Sequence, residues 1–93
     1  MAVKHLHKVL NLTTEDELRI GLTAVAHVYL LDDENYQLYL DEQEFEYYGE
    51  TAHRSPCRLK APWAGVWHLA IEPADPADSL NVAVEIVSPP RGR

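Results

Sequence analysis

Between Lys4 and Leu12, Leu6, Lys8, Leu10 and Leu12 share one parity and His5, His7, Val9 and Asn11 the other. Successive side chains of a strand point to opposite faces, so this two-residue period predicts a first strand. The polar run Thr13 to Asp16 turns the chain, and Leu18, Ile20 and Leu22 then alternate with Arg19, Gly21 and Thr23 in a half-buried second strand. Val25 to Leu31 is apolar at every position but His27, the pattern of a central strand covered on both faces.

At Asp32-Asp33 the rhythm changes. Tyr36, Tyr39 and Leu40 are spaced by three and four residues, which places them on one face of a helix of one to two turns near Asp33-Leu40, with Asp33 as the expected N-cap. Alternation returns at Glu44 to Tyr48, which predicts a fourth strand near a sheet edge, ended by Gly49. Cys57, Leu59 and Ala61 share a face opposite Arg58 and Lys60, and Val66 to Glu72 places Trp67, Leu69 and Ile71 inward. These two segments, joined by Pro62-Trp63-Ala64-Gly65, are expected to form a hairpin. A last strand runs from Leu80 to Val87, and the tail SPPRGR, residues 88–93, is expected to be disordered. The sum is an all-β class: a small single-domain β-sandwich or partly open barrel of six to seven strands over residues 1–87, with one short helix.

Charge narrows the choice of partner. With 8 Lys and Arg against 15 Asp and Glu, the net charge is −7, and the basic residues are scattered. Affinity for nucleic acid comes from clustered Lys and Arg, so that class of partner is not expected. An unknown protein or a small ligand is expected instead, together with weak self-association through an open sheet edge. Cys57 is the only cysteine, so no intramolecular disulfide and no paired-cysteine zinc site can form. No apolar run approaches the roughly 20 residues that span a bilayer. A cytoplasmic protein without membrane contact is the expectation.

Leu31-Asp32, Asn35-Tyr36, Tyr39, Tyr47-Tyr48-Gly49, Ser55-Pro56, Leu59, Pro62, Gly65 and Trp67-His68, taken in that order, resemble the small bacterial domains of the domain-of-unknown-function family 1883. The resemblance covers about His5 to Val87. It implies a compact β-rich domain with no assigned reaction, found alone or joined to TIR-like signalling domains. Two positions depart from the family's pattern: Glu50 stands where a second glycine is usual, and Cys57 where an aliphatic residue is. A shorter likeness, confined to VYLLDDENYQLYL, is to the strand-to-helix passage of jelly-roll-like sandwiches.

Candidate chemistry is sparse. His5 and His7 lie on one strand face, a spacing that chelates Zn²⁺ or Ni²⁺ if a third ligand from His27, His53, His68 or a carboxylate converges; exposed strand residues are the expected outcome, with no metal and no cofactor. The acid-rich stretch from Asp32 to Glu50 lacks the ligand spacing of a Ca²⁺ loop and reads as a solvated face or a docking surface for a basic partner. Cys57 with His53 or His68 would make a thiolate pair, but its inward parity argues for an inert thiol. Tyr48, His53, Arg54, Trp63 and His68 have the residue types that anchor interfaces and form the candidate binding set. A non-enzymatic binding or interaction module, such as a sensor or adaptor in bacterial signalling, is therefore expected. A small metal- or Cys/His-dependent enzyme is the alternative. On this reading every titratable group lies outside the core or stands alone.

Overall fold

A computed structural model describes residues 5–89, and it is a sandwich of two antiparallel sheets with no closed barrel. The strands are β1 (Leu6–Leu12), β2 (Glu17–Leu22), β3 (Ala26–Leu31), β4 (Tyr48–Ala52), β5 (Cys57–Lys60), β6 (Gly65–Pro73) and β7 (Val82–Val87), with the helix α1 (Asp33–Leu40) between β3 and β4. One sheet has the order β1-β6-β3-β4 and the other β5-β2-β7. From β1 to β3, and again from β4 to β7, each successive strand joins the opposite sheet.

Strand parity sets the core. Val28 and Leu30 of β3, Trp67, Leu69 and Ile71 of β6, and Leu18 and Ile20 of β2 meet between the sheets and are fully buried, with Leu12, Cys57 and Ala61 beside them. Trp67 keeps its indole N–H satisfied by donating to the carbonyl of Trp63 at 3.1 Å, as a buried tryptophan requires. The opposite face of the larger sheet carries a second cluster, in which Tyr36 and Tyr39 of α1 close over Leu31 and Ala70. β3 is thus covered on both sides, as its almost unbroken apolar run indicates.

Three local expectations are corrected. The N-cap is Asp32, whose carboxylate accepts from the Asn35 amide at 2.8 Å; Asp33 lies in the first turn, where its charge complements the helix dipole. The segment 44–47 is not a strand, because Phe45 and Tyr47 turn towards Tyr29 and the Glu46 amide is taken by the Asn35 side chain at 2.8 Å. β4 starts where that strand was expected to end. The β5–β6 connection is not a hairpin: β5 pairs with β2, and β6 lies between β1 and β3. Alternation identifies which face a strand buries but not its neighbour, and these two faces meet across the core rather than side by side.

The helix ends in a Schellman arrangement. Gln43 N–H donates to the Leu38 carbonyl at 2.9 Å and Glu42 N–H to that of Tyr39 at 3.2 Å, with Glu42 at φ 60°, the left-handed residue that this ending needs. At the start of the sandwich, Asp16 binds the Thr13 amide at 2.9 Å and accepts from the Ser88 hydroxyl at 2.7 Å, which ties the β1–β2 turn to the end of β7. Ser88 is therefore held; the rest of the tail expected to be disordered, from residue 90 on, lies outside the described residues. No helix among the described residues is long and apolar enough to cross a membrane.

Gly49 sits inside β4 at φ +146°, and a Cβ there would lie 2.1 Å from the Val28 carbonyl oxygen. Close strand approach thus depends on glycine. Gly49→Ala is expected to lower stability by at least the roughly 1–3 kcal/mol typical of overpacking, read from urea unfolding. Gly21→Ala, whose added carbon would make ordinary contacts from 3.7 Å, is the control expected to stay near wild type.

Candidate functional site

The five residues singled out from the sequence fall in three places. Tyr48, the first residue of β4, and Trp63, in the β5–β6 connection, come together: their rings are 5.8 Å apart and nearly perpendicular, and both rest on Trp67, at 5.8 and 4.8 Å. Trp67 is core, while Tyr48 is 45% and Trp63 48% exposed. His53 and Arg54 follow the far end of β4, beside a shallow recess formed with Leu22 to Val25. Ser55 there accepts from the Leu22 amide at 2.9 Å, a structural bond between the β4–β5 connection and the end of β2. His68, on the outer face of β6, belongs to a third group.

That third group is one the sequence did not bring together. His68 Nε2 bonds the Asp33 carboxylate, and His68 Nδ1 lies 2.9 Å from His7 Nε2. The two imidazoles are almost coplanar, at 6°, and both lie flat on the ring of Tyr36, with centroids 4.2 and 4.5 Å away. His5 Nε2 is 3.1 Å from the Tyr36 hydroxyl, and the Tyr39 hydroxyl donates to Glu72 at 2.5 Å. These groups lie on the outer face of the sheet, outside the main core, but they do not stand alone. α1, β1 and β6 each present their polar parity to the same strip. The signal was there in the outward parity of His5, His7 and His68, but only the β1–β6 register, with Val9 opposite His68, places His7 beside His68.

The tautomers follow from chemistry. An ionised carboxylate only accepts, so the proton facing Asp33 is on His68 Nε2. With His68 uncharged, its Nδ1 carries a lone pair and His7 Nε2 supplies the proton between the two rings. Burial, then the nearby His68 and His5, hold His7 below its ordinary value of 6.5. The phenols of Tyr36 and Tyr39 are pushed the other way, Tyr36 by burial and Tyr39 by burial and its bond to Glu72. Both remain donors at neutral pH.

Cys57 is in none of the three groups. It is buried in the core, its Sγ is 3.5 Å from a carboxylate oxygen of Glu50, and burial followed by that carboxylate pushes the thiol up to about 11. A thiol held protonated is a poor nucleophile. His27 instead bonds Thr51 at 2.9 Å. A half-open cleft of about 560 Å³ lies between the ends of β1 and β6 and the loop before β7, with Leu6, Ile71, Leu80 and Val82 in its lining. None of the five sequence-derived candidates lines it; of the histidines, His5 does.

Against known proteins, the family model described as Domain of unknown function (DUF1883) matches residues 3–90. No match was found among curated proteins or among solved structures.

Two solution measurements test this geometry. Because His7 takes up a proton less readily folded than unfolded, its contribution to stability is complete above pH 6.5 and is lost as pH falls through its lower folded value. The melting temperature should therefore drop below that pH, and less steeply in His7→Gln; identical slopes would show that His7 is not the source. Cys57 should resist iodoacetamide in the native protein at mildly alkaline pH and react at once in denaturant, as followed by mass spectrometry.

Proposed function

The chain belongs to the DUF1883 family, and from that premise we propose a non-enzymatic binding module that takes a basic, extended peptide segment along β4, anchored on Tyr48 and Trp63. The observation that carries this reading is the pair of perpendicular rings, each almost half exposed, fixed on Trp67 beside the outer edge of a sheet. Rigid aromatic side chains lose little conformational entropy on contact and supply large apolar area, so they anchor interfaces. Among the described residues β4 pairs only with β3, and its open side offers main-chain donors and acceptors to an added strand.

Charge selects the peptide. Glu44, Glu46 and Glu50 are exposed along the same segment, on a chain of net charge −7. They favour a lysine- or arginine-bearing segment and disfavour an acidic one. A module of this kind suits a sensor or adaptor in signalling, in keeping with the resemblance to domains joined to TIR-like partners.

A second reading rests on the 560 Å³ cleft, whose size is within the range of small-molecule sites, roughly 300–1,000 Å³. Leu6, Ile71, Leu80 and Val82 share its lining with His5, Glu72 and Asp78, which suits a mainly apolar ligand with a polar or cationic group.

Fluorescence anisotropy with a labelled ten-residue peptide of alternating lysine and valine separates these. The peptide should bind, lose affinity as salt shortens the screening length, and bind at least about tenfold more weakly to the Tyr48→Ala/Trp63→Ala double variant, as expected for interface anchors. Equal binding of the glutamate-for-lysine peptide, or an unchanged double variant, would overturn the β4 reading. Displacement of a hydrophobic dye by apolar compounds, blocked in Leu80→Trp, would favour the cleft.

A further inference from the structure

The Asp33–His68–His7 array has a use that peptide binding does not touch. We propose that His7 Nε2 and His68 Nδ1 form a two-histidine chelate for a divalent transition metal, copper above all, with Asp33 as the carboxylate that orients His68. The two nitrogens stand 2.9 Å apart. With metal–nitrogen bonds of about 2.0–2.1 Å, ligands at a right angle are about 2.9 Å apart and tetrahedral ligands about 3.3–3.4 Å. The hydrogen bond that now joins the two nitrogens holds them within the span of one ion, and turning the rings at that spacing leads to the tetragonal geometry that Cu²⁺ and Ni²⁺ prefer.

The tautomer supports the same assignment. A metal-bound histidine characteristically donates its other ring N–H to a carboxylate, which fixes the ring and raises its basicity. His68 does this with Asp33 before any metal is bound. His7 needs only to carry its proton on Nδ1 instead of Nε2, a change of tautomer that releases no net proton. The His7 Nε2 proton at present points at the His68 Nδ1 lone pair, so capture of the ion follows the tautomer change and turns the rings until both lone pairs meet on it. His7 is on the outer strand of its sheet and exposed, which leaves it room to turn, while the Tyr36 ring beneath keeps both imidazoles flat.

Among the described residues no third His, Cys, Asp or Glu converges on this point. Water fills the remaining positions, and the ion stays exchangeable. Affinity should follow the general order for nitrogen sites, with Cu²⁺ above both Ni²⁺ and Zn²⁺.

The experiment is a titration of CuCl₂ into the untagged full chain, read by electron paramagnetic resonance and by melting temperature. One ion per chain, with coupling to two nitrogens and a raised melting temperature, is expected. Binding should be lost in His7→Gln and in His68→Gln, kept in His27→Gln and His53→Gln, and weakened about 10- to 100-fold in Asp33→Asn, the usual loss for an orienting carboxylate. The Asp33 substitution leaves the Asp32 cap in place. If the glutamine variants do not fold, imidazole resonances of the wild-type protein replace them, and copper should broaden those of His7 and His68 first. Absence of saturable binding, binding that survives both glutamine variants, or first broadening at His27 or His53 overturns the proposal.

Discussion

The burial of β3 and β6 on both faces is the constraint from which the other features follow. One face is filled by the smaller sheet; the other cannot be, because that sheet has three strands and lies on one side only. Leu31 and Ala70 must still be kept from water, and burying such side chains is worth roughly 1.5–3 kcal/mol for a leucine. The helix does this, and it must start at once after β3 to be in place. Asp32 makes the abrupt start workable by satisfying the Asn35 amide, one of the donors a helix start leaves open.

Covering an outer face with tyrosines has a chemical side effect. A leucine-faced helix would bury the same strip and leave the polar residues of β1 and β6 in solvent. Tyr36 and Tyr39 bring hydroxyls and flat rings into it, so His5, His7, His68 and Glu72 all acquire partners. The buried side-chain nitrogen and oxygen atoms of the described residues all have a hydrogen-bond partner. The polar strip is thus part of how the helix is seated, and a chemical function there would be added to a structural one.

What could be read from the sequence was the facing of each strand, and what could not was its neighbour. Two-residue alternation placed Leu18, Ile20, Trp67, Leu69 and Ile71 inward, and three- and four-residue spacing placed Tyr36 and Tyr39 on the helix face that packs down. Both are local signals. The partner of β5, the position of β4 and the meeting of His7 with His68 depend on register between segments distant in sequence, which no local period encodes. Gly49 misled for a related reason: a glycine that ends a strand and one that lets two backbones close up look the same in the sequence. Tyr48 and Trp63 were legible as a pair of anchor types, but not as neighbours.

The alternation of successive strands between the sheets bears on how the chain reaches this state during synthesis. Among the described residues β1 is on the margin of its sheet and pairs only with β6, Leu6 opposite Ile71 and Leu12 opposite Gly65. Until Gly65–Pro73 has left the ribosome, Leu6, Leu10 and Leu12 have no ladder to join. Such distant pairing makes for slow, late closure, so β1 is among the last of these strands to find its place, and it stays uncovered while the residues between it and β6 are made.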